Sequence, residues 1–285
     1  MKFFVTGING QLGFDVVNEL KQRGYNDICS PARSELDITN KEKTLEAILS
    51  YKPDIIIHCA AYTAVDKAEE ERELCYDINV NGTKYLVEGA KKIGAKFIYI
   101  STDYVFDGTK DGIYTENDKT CPVNYYGETK LLGEELVKEY NKGIIVRISW
   151  VFGINGGNFI KTMLRLAETR DEVSVVSDQV GSPTYTKDLA RVLVDMALSD
   201  KNGVYHATNM EYCSWYELAK YIFEVNGIDI KVNQVMTKDY KTVARRPLNS
   251  KMSKDKLVKD GFKAMPSWKD AVKRYVDELK KEGNK

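Results

Sequence analysis

Short apolar runs alternate with segments of helical period through the first half of the chain. "KFFVTG" reads as a buried strand, and "QLGFDVVNELKQRG" after it sets Leu12, Val16 and Leu20 at helical spacing. "DIIIHCAA" reads as a second strand, with Pro53 and Asp54 marking its start. "NVNGTKYLVEGAKKIG" follows as a helix and "KFIYIST" as a further strand. Such alternation predicts an α/β fold, a doubly wound parallel sheet with helices on both faces. Burial of both faces explains why these strands are apolar throughout and do not alternate. Ligands of such sheets sit outside the carboxyl ends of the strands. That rule makes "GINGQLG", "CAAYT" and "STDYVF" neighbours in space, since each follows a strand.

Beyond about residue 150 the pattern changes. "WVFGINGGNF" has the composition of a loop. It precedes a helical period in "FIKTMLRLAET", a strand in "EVSVVSD", helices in "TKDLARVLVDMAL" and "SWYELAKYIFEVNG", the basic stretch "ARRPLNSKM" and a terminal helical segment. The expected division is a first domain over 1–150 and a smaller lobe over 151–285, with segments of the second half returning to the first domain.

Size and charge narrow the class. A chain of 285 residues can bury a substantial core. Lys plus Arg and Asp plus Glu both number 42, a formal charge of zero. A broad nucleic-acid or anionic-membrane surface is therefore not expected, although a local basic pocket is compatible with it. The five cysteines (Cys29, Cys59, Cys75, Cys121 and Cys213) are odd in number and lack a CxxC pair. This usage fits a reducing compartment better than disulfides or a zinc site. No early segment resembles a signal peptide, and no apolar run approaches the roughly 20 residues of a membrane span. The expectation is a cytoplasmic protein with no nucleic-acid and no membrane partner. His58 and His206 stand alone and read as structural, and no metal-ligand spacing appears.

Two motifs carry candidate chemistry. In "GINGQLG", Gly7, Gly10 and Gly13 permit either a flexible turn or a phosphate cradle, in which a helix N-terminus faces a pyrophosphate. In "NYYGETK", Tyr126 and Lys130 share one helical face. An ammonium beside a phenol favours the phenolate, so Lys130 is expected to lower the Tyr126 pKa and suit it to general acid work. Pro122 and Asn124 punctuate the start of that helix, and Thr102 ends a strand where its hydroxyl can meet a substrate oxygen. A second Tyr-x-x-x-Lys pair, Tyr216/Lys220, lies in an amphipathic helix without a strand-end partner and reads as structural.

With these motifs in order, and with "LDITN", "AAYTAVDKAE", "RISWVFG", "DQVGSPTYTKDLA" and "RRPLNSKM" beside them, the chain resembles the extended short-chain dehydrogenase/reductase superfamily. Within it the chain is similar to the dTDP-4-dehydrorhamnose reductase family over nearly its whole length. The resemblance implies a Rossmann-type domain over 1–150, a mainly substrate-binding lobe over 151–285, and NADPH- or NADH-dependent reduction of the C4 ketone of a dTDP-sugar. It implies Thr102, Tyr126 and Lys130 as catalytic residues, with Tyr126 and Lys130 also meeting the cofactor. Gly7, Gly10, Gln11 and Leu12 would face its pyrophosphate. Asp37 and Ile38 would lie near its adenine, and Ala60, Ala61 and Tyr62 along the second strand end. Thr102, Asp103 and Trp150 are implied at the sugar, and Arg246, whose fork matches phosphate geometry, at the diphosphate. Where an acidic residue commonly binds the ribose, this chain has Ser30 and then Arg33, which leaves NADPH and NADH both open. The chain is expected to be a monomer or homodimer.

Two other readings stand beside this one. One is another nucleotide-sugar enzyme, a reductase, epimerase or dehydratase; dehydratases of the superfamily place Asp-Glu after the threonine, whereas here Tyr104 follows Asp103, which disfavours dehydration. The non-catalytic regulatory subunit of methionine adenosyltransferase is also similar. Retention of Thr102, Tyr126 and Lys130 favours an enzyme.

Overall fold

The first apolar run forms the strand Phe3–Thr6, and the main sheet grows outward from it. The computed structural model describes residues 1–283. Its main sheet has six parallel strands in the order Gly203–His206, Gly143–Ile148, Lys96–Thr102, Ile55–His58, Phe3–Thr6 and Ile28–Cys29. Phe4 pairs with Cys29 on one side and Ile56 on the other, while Ile57 lies opposite Ile98. The chain leaves Phe3–Thr6 to one side and returns on the other, so a crevice opens at the carboxyl ends between this strand and Ile55–His58.

Alternate residues of each strand serve different layers. Phe3, Val5, Ile57, Ile98 and Val146 pack against Leu12, Val16 and Leu20 of helix Gln11–Gln22 and against Leu189 and Leu193 of helix Thr186–Leu198. Phe4, Ile56, Phe97 and Tyr99 pack on the opposite face against Ile48, Leu86, Val87 and Val137, from helices Lys41–Tyr51, Thr83–Ile93 and Tyr125–Lys138. Each such side chain contributes about 1.5–3 kcal/mol by leaving water. Apolar residues at both parities are therefore required.

The second half divides its work. Helix Thr186–Leu198 and strand Gly203–His206 complete the main sheet. The rest builds a separate core around Phe152, Ile160, Val173, Leu218, Ile222, Trp268 and Tyr275. Strands Glu172–Val176 and Lys231–Val235 pair in parallel there. Helix Trp215–Asn226 starts at a capping box made by Ser214 and Glu217. The basic stretch runs back along the carboxyl ends of the main sheet: Asn124 Nδ2 donates to Arg245 O at 2.7 Å, and Asn249 N donates to Gly108 O at 3.1 Å.

Two elements depart from the sequence pattern. "NVNGTKYLVEGAKKIG" is not one regular helix, since Asp77–Gly82 is π-helical before the α-helix Thr83–Ile93. The widened turn draws Asn79 inward, where Oδ1 accepts from Tyr62 N at 2.8 Å and Nδ2 donates to Thr129 Oγ1 at 3.0 Å. Helix Lys41–Tyr51 left no clear pattern because only Thr44 and Ile48 are fully buried. Among the described residues, no helix is long and apolar enough to cross a membrane.

Candidate active site

The glycine turn is held tight by its surroundings. Gly10 N donates to Gly7 O at 2.9 Å. Gly7 has φ +78°, and a Cβ there would lie 2.7 Å from Ala60 N. At Gly13 a Cβ would lie 2.2 Å from Gly7 O. Neither position accepts a side chain, so the turn is a fixed cradle. Gly10 begins helix Gln11–Gln22, with no side chain capping it and no acidic residue in the first turn. The free N–H groups of that turn and the positive end of the helix dipole face a cleft of about 710 Å³. Such a helix end fits an anion of the pyrophosphate class.

The cleft gathers most of the residues expected from the sequence. Gly7, Gly10, Gln11, Leu12, Arg33, Asp37, Ile38, Ala60 and Ala61 line one end, and Thr102, Asp103, Tyr126, Lys130 and Trp150 line the other. Ser30, Tyr62 and Arg246 do not line it. Tyr62 turns outward, its hydroxyl donating to Glu71 at 2.7 Å. The Arg246 guanidinium is held by Asp66 at 2.6 Å. The sequence reading missed Asn155, Gly156, Gly157 and Trp215, which also line the cleft. The two glycines in "GINGGN" were the available signal, but loop composition alone does not say what a loop covers.

Helix Tyr125–Lys138 carries the central pair. Asn124 caps it, accepting from Gly127 N at 2.8 Å. The Tyr126 ring meets the edge of Tyr104, with centroids 5.6 Å apart, and is 9 % exposed. Lys130 Nζ lies 4.1 Å from the centre of the Tyr99 ring. The expected lowering of the Tyr126 pKa is not found. Burial pushes this phenol up, the Asp103 carboxylate adds to the rise, and only the Thr102 hydroxyl opposes them. Burial also pulls the Lys130 ammonium down to about 7, against the opposite pull of Glu134. At rest the helix thus carries a protonated phenol at Tyr126 and, one turn on, an amine over the Tyr99 ring that titrates near neutrality.

Around this pair the polar groups are already engaged. Thr102 Oγ1 donates to Asp103 Oδ1 at 3.0 Å and accepts from Tyr104 N at 3.2 Å. Ser250 Oγ donates to Asp103 Oδ2 at 2.5 Å. Burial lifts the Asp103 carboxyl to about 6, although both hydroxyls favour its charged form. Trp150 has φ +49°, uncommon for a bulky residue, and stacks on Trp215 with ring centroids 3.8 Å apart. The two stacked indoles supply apolar lining to the same cleft as the tyrosine.

His58 lies beneath the crevice, buried between strands. Its Nδ1 faces Thr6 Oγ1 at 2.7 Å and its Nε2 faces Thr83 Oγ1 at 3.1 Å. Thr83 donates its proton to Asn79 O at 2.7 Å, so His58 must donate from Nε2 and accept at Nδ1. Burial, with Lys130 second, pulls its pKa down to about 3. Between about 6.5, the ordinary value, and about 3, the unfolded chain takes up a proton that the folded chain refuses. Stability is expected to fall as pH drops through that window. A His58→Gln variant should show a flatter dependence of Tm on pH from 7 to 4, and an unchanged slope would contradict the assignment.

Comparison with known proteins places this geometry. The family model described as RmlD substrate binding domain matches residues 1–281. The dTDP-4-dehydrorhamnose reductase of Aggregatibacter actinomycetemcomitans is 42% identical over 95% of this chain and 97% of its own length. A crystal structure of a dTDP-4-dehydrorhamnose reductase from Clostridium acetobutylicum superposes with a TM-score of 0.95 at 43% identity, covering 98% of this chain and 100% of that one. A structure of the Bacillus anthracis dTDP-4-dehydrorhamnose reductase in complex with NADP gives a TM-score of 0.94 at 43% identity, with the same coverage. On the match over nearly its full length, the chain belongs to the RmlD substrate binding domain family.

Proposed function

We propose that this protein reduces the C4 ketone of dTDP-4-dehydro-L-rhamnose to give dTDP-L-rhamnose, with NADPH or NADH as reductant. The observation that carries this reading is the meeting of Thr102, Tyr126 and Lys130 with the glycine cradle in one cleft. Residues 1–150 supply the cofactor side in this reading, and the 151–285 half supplies much of the sugar side. Gly7, Gly10 and the backbone N–H groups of Gln11 and Leu12 would hold the dinucleotide at its pyrophosphate, and Lys130 would hold the nicotinamide ribose. The bound cofactor supplies a hydride to the carbonyl carbon. Tyr126 gives the carbonyl oxygen its proton. Its burial keeps the phenol protonated until that moment, and Lys130, one turn further on, stabilises the phenolate left behind. Thr102 and Asp103 orient the sugar, with Trp150 as its apolar wall.

An elimination would need a carboxylate where Tyr104 stands. Tyr104 instead packs its ring against Tyr126. Asp103 is engaged by Thr102 and Ser250. These contacts favour reduction over dehydration. Arg246 enters the reading as the diphosphate contact: Asp66 holds its guanidinium outside the cleft lining, near Tyr104, whose phenol is raised by burial and by Asp103 against the smaller opposing pull of Arg246.

The test offers the purified protein enzymatically generated dTDP-4-dehydro-L-rhamnose with NADPH and NADH in turn. Reduced-nicotinamide absorbance should fall and dTDP-L-rhamnose should appear. Equal or better turnover of another keto sugar would displace the named substrate. Arg33 lines the adenine end of the cleft where an acidic residue would reject a 2′-phosphate. An Arg33→Ser variant should therefore lose roughly 10- to 100-fold in kcat/KM for NADPH and little for NADH. An equal loss with both would assign Arg33 to the adenine instead.

A further inference from the structure

The loop between strand Val151–Phe152 and helix Phe159–Ala167 reaches across the cleft to the glycine turn. Asn155 Nδ2 lies 3.1 Å from Asn9 O and 3.2 Å from Gly10 O. In a trans peptide the N–H points opposite the C=O. The Asn9 carbonyl thus shares its plane with the Gly10 N–H, which closes the turn on Gly7 O at 2.9 Å. The Gly10 carbonyl shares its plane with the Gln11 N–H, the first of the helix and without a partner inside it. Holding those two oxygens fixes the direction in which the Gln11 N–H points.

The same loop holds the Gln11 side chain. Gln11 Oε1 accepts from Gly153 N at 2.8 Å and from Asn158 Nδ2 at 3.0 Å. The carboxamide oxygen is thereby taken up, which leaves the backbone N–H and Nε2 of Gln11 as its donors toward a phosphate. The loop is itself anchored: Asn158 Oδ1 caps helix Phe159–Ala167 by accepting from Lys161 N at 3.0 Å, and the buried Tyr275 hydroxyl donates to Gly153 O at 3.0 Å. Lys161 Nζ adds a positive charge on the Gly156 carbonyl at 2.9 Å.

From this bracket we infer that Asn155 is a positioning residue for the pyrophosphate of the dinucleotide, supplied by the lobe opposite the glycine turn. The inference rests on the dinucleotide reading given above. Asn155 acts through the Asn9–Gly10–Gln11 backbone, so its influence is confined to ligands that reach the helix N-terminus. A ligand carrying only the adenosine end should not sense it.

The test titrates the full-length protein calorimetrically with two cofactor fragments. One is 2′-phospho-ADP-ribose, which contains the pyrophosphate; the other is adenosine 2′-phosphate, which does not. Asn155→Ala should weaken the first about 10-fold, the loss of one or two hydrogen bonds at the site, and leave the second within about twofold. Asn155→Asp, which keeps the shape but sets a carboxylate against two carbonyl oxygens, should weaken the first further. It also serves if the alanine variant folds poorly. Equal weakening of both fragments, or of neither, in a protein whose wild type binds both would overturn the role of Asn155 and leave the dinucleotide reading standing. Failure of the wild type to bind either fragment, and ADP-ribose without the 2′-phosphate as well, would remove both.

Discussion

Tyr126→Phe will lower kcat for ketone reduction by about 10²- to 10⁴-fold, the usual worth of a placed general acid, with little change in Tm. The reasons for the two halves of this expectation differ. Chemically, burial keeps this phenol protonated at neutral pH, as it does the Tyr104 phenol and the Cys59 thiol of the same cleft, while Asp103 and Lys130 titrate nearer to neutrality; of the three protonated groups, Tyr126 is the one that accompanies Lys130 on its helical face. Structurally, the ring keeps its contacts with Ala68, Cys75 and Tyr104 when the oxygen is removed. No buried partner is orphaned either, because Thr102 still donates to Asp103 and accepts from Tyr104 N. Steady-state rates with saturating ketone and cofactor, together with a melting curve, provide the check. A variant with kcat within a few-fold of the parent would mean that the proton comes from elsewhere.

Arg147→Ala is the substitution expected to cost most in stability, about 3–5 kcal/mol. Arg147 on strand Gly143–Ile148 makes a two-pronged contact with Glu134, Nε to Oε1 at 2.8 Å and Nη2 to Oε2 at 2.7 Å. The two side chains are 2% and 0% exposed. Ser101 Oγ donates to the same carboxylate at 2.6 Å, and the guanidinium rests 4.9 Å from the centre of the Phe106 ring. Without the arginine, Glu134 is a buried charge with no cationic partner of comparable geometry. The carboxylate sits one turn beyond Lys130, so the loss should also loosen the helix that carries Tyr126. Chemical denaturation gives the number. The double variant Glu134→Met/Arg147→Met should be less destabilised than Arg147→Ala, because it leaves no unpaired charge. A double variant as unstable as the single one would assign the effect to packing alone.

What the sequence made legible follows burial. Strands Phe3–Thr6, Ile55–His58 and Lys96–Thr102 declared themselves because both of their faces are covered, and Leu12, Val16 and Leu20 are buried as their spacing requires. Strand Ile28–Cys29 pairs only two residues, and Gly203–His206 is a partly covered edge, so neither stands out as an apolar run. Spacing joined Tyr126 to Lys130, and the order of the strand ends brought them to Thr102. It also set aside Tyr216/Lys220, whose ammonium lies 5.6 Å over its own tyrosine on a helix of the second core. What spacing could not reach was the competition for each group from distant chain. Tyr99 takes the Lys130 ammonium from a strand of the main sheet, and Gly153 and Asn158 occupy the Gln11 carboxamide oxygen from the far lobe. Asp66 holds Arg246 from a helix 180 residues away in sequence. Local pattern gives the face a residue occupies, and the pKa of Tyr126 shows that the face does not fix the chemistry.

The late return of the chain to the main sheet has a consequence for biosynthesis. Strand Gly143–Ile148 lies between Lys96–Thr102 and Gly203–His206, and its outer partner follows it by about 55 residues. At ribosomal speeds of roughly 5–20 residues per second, that open backbone edge waits on the order of 3–11 s for its neighbour. During the delay the nascent chain presents an apolar, unpaired ladder, the template on which intermolecular strand pairing starts. Chaperone demand should therefore peak midway through translation, before the second half has emerged.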